Sequence, residues 1–414
     1  MSTLNLTSLY LFVLIMYPYF QVLEHFTGTY SKIGKNGYLI VITLALLLLF
    51  IHAYKELIKK YRSITVALLY FIGFPLAVFF TRIIVYNETF SRLFPDRYTY
   101  FILIYGILTY YFVATKPELK NTIIKIVIGN ALAQAVFGVI HYYFMPFLIP
   151  VTDNPAYVNT GLLFVLNYTN ADSVRETGLL GNASVYANFI LLGLFLLFRP
   201  DNQNVRNVTK FFISIVLIMA IFVSGSRFPT AVSLILLMIF LYRNTSRLQM
   251  AIVSFFLISF LLLFFTFFVP VDQFMYYLDR IINEGNSIRD EKVLLAFNML
   301  FSKPLFLLLG VPQDIVVNTT SPSGYTFSDN SFFEFALNHG VLFTLAWFLV
   351  AIVMLKRSIV ANKYVVLFLT YFFLCLWFTN SILWDIWIVY FFVVLYCLSP
   401  SSCNEKDFYV NRSC

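Results

Sequence analysis

Three short stretches of the sequence gather side chains able to hold an anion or move a proton, and each stands beside a long apolar run. Arg175-Glu176-Thr177-Gly178 leads into GLLGNASVYANF. Ser224-Gly225-Ser226-Arg227 interrupts the apolar stretch from Phe211 to Tyr242. The run SDNSFFEFALNHGVLF, Ser328 to Phe343, supplies Asp329, Asn330, Glu334 and His339. Arginine suits phosphate because its planar fork makes paired, charge-assisted hydrogen bonds and stays ionised. Two such cations with a carboxylate at hand fit the departure of an anionic group and the removal of a proton from an attacking hydroxyl. Each residue also has a plainer reading. Arg175 can anchor a helix end at a membrane surface by reaching its head group into water. Gly225 and its serine neighbours are what a tight turn between two helices needs, which accounts for them but not for Arg227. Asp329 or Asn330 can cap the helix that follows, and His339, deeper in that helix, can be buried and neutral.

The elements that position these residues are set by a bilayer. The 414 residues are 60% hydrophobic and only 12% charged, with a mean hydropathy of +0.82. Soluble domains carry about 25% charged residues, so half that amount excludes a soluble enzyme, a disordered chain and a nucleic-acid-binding domain. Aromatic residues make up 19% of the chain, mostly 48 Phe and 28 Tyr, as suits a lipid-facing surface with interfacial belts.

A helix needs about 20 apolar residues to span a bilayer. Twelve stretches qualify as candidate spans: 6–23, 38–53, 64–86, 99–114, 122–145, 177–198, 211–224, 228–242, 248–269, 332–355, 364–380 and 383–399. Backbone groups in lipid must bond within their own segment, so all twelve are expected to be helices. The shortest, 211–224 and 228–242, must extend into flanking polar residues.

Lysine and arginine accumulate in cytoplasmic loops. Taken alternately, connections 54–63, 115–121, 199–210, 243–247 and 356–363 carry a net +11, and the others, 24–37, 87–98, 146–176, 225–227 and 270–331, carry −3. Both termini are therefore expected in the cytoplasm. The chain divides into N-terminal membrane helices (1–145), an outer loop (146–176), central membrane helices (177–269), a large outer loop (270–331), C-terminal membrane helices (332–399) and a cytoplasmic tail (400–414). Amphipathic runs such as Val271 to Ile282 predict that the large loop is a small helical cap lying on the membrane face. All three chemistry-bearing stretches then fall on the outer side.

Cys375, Cys397, Cys403 and Cys414 have no paired spacing, and His25, His52, His141 and His339 are scattered, so neither a disulfide framework nor a metal site is expected. The N-terminus lacks a basic leader, and its first apolar run continues into a polytopic pattern, which predicts no cleaved signal peptide.

The segments RETGLLGNASVYANF (Arg175 to Phe189), SGSR (Ser224 to Arg227), NSIRDEKVLLAFNMLFSKPLFLLLGVPQ (Asn286 to Gln313) and SDNSFFEFALNHG (Ser328 to Gly340) resemble the O-antigen polymerase and O-antigen ligase superfamily of bacterial envelope glycosyltransferases. The likeness covers roughly residues 170–345; the first five helices match only in being hydrophobic. Ligases of this superfamily carry a His-Asn pair followed nine residues later by Gly. Here Asp329-Asn330 precedes Gly340 at that spacing, so Asp329 stands where the ligase histidine would be. Phe343 is a second departure. The Asp-Asn form resembles the polymerase (Wzy) branch. A loop pattern of that branch, Arg with Gly sixteen residues later, is not met, because Leu191 stands there, two residues before Gly193.

The resemblance implies an all-α, polytopic membrane protein of the GT-C kind, whose outer cavity overlies membrane-embedded helices. It implies a metal-independent and nucleotide-independent glycosyltransferase of the bacterial inner membrane. The glycan, O-antigen or capsular, would pass from undecaprenyl pyrophosphate to the terminal sugar of a second lipid-linked repeat unit. On this reading Arg175 and Arg227 hold the pyrophosphate, Asp329 is the general base, Arg289 is a second phosphate or glycan contact, and Asn330 orients Asp329 or the sugar. Glu176 and His339 are further candidates for substrate contact or the base. Expected partners are the two lipid-linked oligosaccharides, membrane lipids and a protein that regulates chain length; nucleic acid is not one. The alternatives are an O-antigen ligase, a lipid-linked oligosaccharide flippase or other transporter, and a membrane scaffold without chemistry. A transporter should carry ionisable residues near the bilayer midplane, whereas Arg82 and Lys125 fall near span ends and Asp385 near the outer end of the last span. No internal repeat, common in transporters, is visible.

Overall fold

The computed structural model describes residues 3–19, 77–78, 80–87, 108–109, 112–113, 116–144, 167–170, 173–175, 183–199, 205–244, 287–318, 331–345, 363–378 and 386–398. These are mostly α-helical: α1 (Thr3–Met16), α2 (Lys120–Phe144), α3 (Ala183–Leu197), α4 (Asn207–Val223), α5 (Arg227–Asn244), α6 (Ser287–Phe301), α7 (Pro304–Leu309), α8 (Gln313–Asn318), α9 (Ser331–His339), α10 (Lys363–Phe378) and α11 (Ile386–Leu398). Helical turns also occupy 80–86 and 341–345. Among the described residues, one helix is both long and apolar enough to cross a bilayer, Lys120–Tyr142. Helices Thr7–Met16, Ala183–Leu197, Asn207–Val223 and Phe228–Asn244 are apolar but shorter. The candidate spans 38–53 and 248–269, parts of 64–86, 99–114 and 332–355, and the run Val271 to Ile282 lie outside the described residues.

Among the described residues, extended structure is confined to one place. Strands β1 (Asn167–Asn170) and β2 (Ser173–Arg175) pair antiparallel, with Asn167 opposite Arg175, inside the segment 146–176 read from sequence as an outer loop. Tyr and Thr in β1, Ser and Val in β2, and two residues, Ala-Asp, between the strands in sequence form a short hairpin signature. The span pair on either side of Ser224 to Ser226 does extend into polar flanks: α4 starts at Asn207 and α5 runs to Asn244. Within 270–331 the described part, 287–318, consists of the three helices α6 to α8.

The chain forms two compact units, one comprising Met1–Val13, Lys35–Ile124 and Ile288–Cys414, the other Leu14–Gly34 and Lys125–Ser287. In the second unit α3 is the central element. From Val185 to Leu197 every residue is buried, and α4 and α5 pack against it. A helix apolar on all sides has no polar face to offer water, so burial all round is its stable position. Gly193 lets α3 approach α2: a Cβ there would stand 2.4 Å from the Cβ of Ala131. Small residues at a helix crossing permit such contact. Asn130 of α2 donates from Nδ2 to the carbonyls of Leu14 and Ile15 at 3.2 Å each, satisfying acceptors at the C-terminal end of α1.

In the first unit a core of Ala296, Leu300, Phe306, Val311, Ala336 and Leu337 joins α6, α7 and α9. Helix α10 packs on α9, and α11 on α10. Lys120 is buried with its ammonium 5.6 Å from the centre of the Tyr396 ring.

Candidate functional site

The sequence-selected residues fall at the ends of these elements. Arg175 is the last residue of β2, Arg227 the first of α5, Arg289 lies in the first turn of α6 and His339 is the last residue of α9. Glu176, Asp329 and Asn330, and the side chains of Arg175, Arg227, Arg289 and Glu334, lie outside the described residues.

Two of the three stretches meet in the second unit. The turn between α4 and α5 is built by its small residues. Gly225 takes φ +63°, a backbone region glycine enters without steric cost, and its N–H donates to Phe222 O at 2.9 Å. Ser224 Oγ donates to Ile221 O and accepts from the N–H of Ser226. Thr230 closes the first turn of α5 by donating from Oγ1 to Ser226 O at 2.8 Å. Ser226 then reaches out of the turn, donating from Oγ to the carbonyl of Ala183 at 3.3 Å. Ala183 opens α3, the helix that follows the Arg175 segment. The SGSR turn is thus fastened to the start of RETGLLGNASVYANF's helix. The structural reading of the glycine and serines holds in each case, and Arg227 begins the next helix beside them.

The third stretch is organised in the first unit, around two glycines: Gly340, which sequence reasoning had treated only as motif spacing, and Gly310, which it had not singled out. Gly310 follows α7 with φ +81° and Gly340 follows α9 with φ +90°. The two helix ends press against each other. A Cβ on Gly310 would stand 2.4 Å from Leu337 O, and a Cβ on Gly340 would stand 2.4 Å from Leu308 O. Val311 N–H donates across the crossing to Leu337 O at 2.7 Å. Only residues without a Cβ fit at this reciprocal approach, and both positive φ values require the same residue type. The glycine of the Asp-Asn-to-Gly spacing therefore has a structural function, joining SDNSFFEFALNHG to the end of Asn286 to Gln313.

His339 is buried at this junction, its ring centre 5.2 Å from that of Phe343. Phe343, the position that departs from the ligase pattern, is itself buried. Arg82 lies at the same junction. It is 2% exposed and donates to the carbonyls of Asn338, Leu309 (3.3 Å) and Val311 (2.9 Å). Tyr86, one turn on, donates to Gly310 O at 2.8 Å. Sequence reasoning placed Arg82 at a span end and gave it no role.

No protein-family model matches the chain, and no characterised protein compared with it is similar enough to count as a relative.

Proposed function

We propose that this protein is an integral membrane polysaccharide polymerase of the bacterial inner membrane, of the O-antigen polymerase branch, with about twelve transmembrane helices and both termini in the cytoplasm. The observation that carries the reading is pairwise adjacency of the segments that bear the resemblance. Ser226 of SGSR bonds to Ala183 of RETGLLGNASVYANF, and Gly310 of Asn286 to Gln313 abuts Leu337 of SDNSFFEFALNHG. Segments that bear the resemblance thus meet in pairs, at the SGSR turn and at the crossing of α7 and α9. The membrane setting is supported by large apolar side chains turned outward on α4 and α5, among them Phe212 at 63% and Ile235 at 52% exposure. Such a surface is costly in water and ordinary against lipid.

In the proposed reaction the terminal sugar hydroxyl of one lipid-linked repeat unit gives its proton to Asp329. The oxygen attacks the anomeric carbon of the growing glycan, and the bond from that carbon to undecaprenyl pyrophosphate breaks. The bonding pair leaves on the pyrophosphate, whose charge Arg175 and Arg227 stabilise, with Arg289 as a further anion contact. Arg227 stands at the first position of α5, where the positive end of the helix dipole also favours an anion. Fixed donors aimed at developing charge are worth on the order of 10²–10³ in rate each, and a placed base about 10²–10⁴. The donor is already activated, so neither nucleotide nor metal enters the scheme. Asp329 in place of the ligase histidine favours polymerisation over transfer to lipid A core.

The test is the envelope glycan of a strain lacking the protein. Loss of a polymerase leaves core bearing a single repeat unit. Core with no repeat, and polymer held on the carrier lipid, would point to a ligase instead; absence of both would point to a flippase.

A further inference from the structure

We propose that Arg82 is a positioning residue for the transfer reaction: it clasps the C-terminal ends of α7 and α9 and so sets where α9, the helix that follows Asp329 in sequence, stands. This rests on the polymerase reading for its consequence, though the clasp itself does not.

The sequence supplies the device in one helical turn. Arg82 and Tyr86 are four residues apart on the stretch 80–86, so both side chains lie on one face. The guanidinium lies 5.7 Å from the centre of the Tyr86 ring, and that ring meets Phe306 of α7 edge-on at 6.2 Å. Arg82 Nη1 donates to Asn338 O of α9 and Leu309 O of α7, and Nη2 donates to Val311 O just beyond α7. These are carbonyls at or next to helix C-termini, where the last acceptors have no partner within the helix and carry partial negative charge. A buried cation and unsatisfied acceptors resolve each other's desolvation cost here. One rigid fork reaches acceptors on both helices at once, which the single ammonium of lysine cannot do in the same geometry.

The consequence is geometric. Gly310 and Gly340 allow α7 and α9 to cross at backbone contact, but glycine removes a barrier and supplies no attraction. The shared apolar core, the bond from Val311 N–H to Leu337 O and the Arg82 clasp supply it. Asn338, an Arg82 acceptor, is followed directly by His339 and Gly340. A shift of α9 along its axis would carry the segment that begins at Asp329 with it, and a misplacement of about 1 Å can cost on the order of 10²-fold in rate.

The experiment uses the full-length protein and the variants Arg82→Lys and Tyr86→Phe, read in two ways. The first readout is hydrogen–deuterium exchange of peptides covering 304–318 and 331–345, with 183–199 and 207–244 as internal references. Arg82→Lys should speed exchange at both helix ends and leave the reference peptides unchanged. Tyr86→Phe, which removes the hydroxyl that donates to Gly310 O and Leu305 O, should do so mainly in 304–318. Unchanged exchange at both ends in Arg82→Lys would overturn the clasp. The second readout is polymer synthesis from lipid-linked repeat units, where Arg82→Lys should lower kcat by about 10²-fold with KM nearly unchanged. Faster local exchange with wild-type kcat would show a stabilising role only and overturn positioning. A wild-type protein that makes no polymer would remove the polymerase reading and with it the positioning role, while exchange would still decide the clasp.

Discussion

Asp329 is the residue on which the proposed chemistry turns, and one conservative change separates its two readings. Helix α9 begins at Ser331, so Asp329 and Asn330 stand at its entrance in sequence. Asparagine caps a helix as well as aspartate but takes no proton from a hydroxyl at neutral pH. Asp329→Asn should leave the amount of protein in the membrane unchanged and lower polymer synthesis by about 10²-fold or more, the usual share of a positioned base. Near-normal synthesis would reduce Asp329 to a cap and move the base role to Glu176 or His339. At this scale the sequence offers candidates by residue type: Arg175, Arg227 and Asp329 stand out by type and by their place next to apolar runs, and their proposed roles rest on the tests above. Arg82 does not stand out, because its acceptors at Leu309, Val311 and Asn338 lie 227 to 256 residues further along the chain and are backbone carbonyls, which leave no side-chain signature.

The elements were legible to the extent that local rules set them. Small residues at Ser224 to Ser226 break the helix where expected, and α4 and α5 run past their apolar cores into polar flanks. The 167–175 hairpin was missed because a bilayer-scale search for twenty-residue apolar runs passes over strands of three and four residues. The packing role of Gly193 was invisible because Ala131, its neighbour, belongs to another helix. The glycines give the sharpest element-scale test. Gly340→Ala would need both a left-handed backbone, which costs an L-residue about 1–2 kcal/mol, and a Cβ 2.4 Å from Leu308 O, where backbone cannot yield without moving α7. Crowding of that kind adds about 1–3 kcal/mol. Gly129, within α2, has nothing within 4 Å of its would-be Cβ, so Gly129→Ala should be neutral or stabilising by about 0.5–1 kcal/mol. Thermal melting in detergent should show Gly340→Ala far below wild type and Gly129→Ala at or above it. Equal melting temperatures for the two would contradict the close crossing of α7 and α9.

At the scale of the whole molecule, orientation decides whether the candidate residues can meet a lipid-linked substrate on the outer face. The alternate connections carry +11 and −3, and positive charge is retained on the cytoplasmic side. Cysteines introduced at Asn154 and Asn318 should therefore react with a membrane-impermeant thiol reagent in intact spheroplasts. Labelling only after lysis would reverse the topology and remove every outer-face assignment with it. Composition is what argues for the proposed membrane setting, since 12% charged residues is about half of what soluble domains carry. How the helices pack did not follow from it, because lipid accepts an apolar helix in almost any rotation and the choice falls to small residues and buried polar contacts such as those at Gly193, Asn130 and Arg82. The central claim is polymerisation, and the most direct measurement is made with purified full-length protein in proteoliposomes given lipid-linked repeat units and a chelator, without nucleotide. A ladder of lipid-linked glycans rising by one repeat unit per step is expected, with one undecaprenyl pyrophosphate released for each linkage formed. Repeat units that stay single, whether left untouched, moved across the bilayer or transferred to lipid A core, would contradict it.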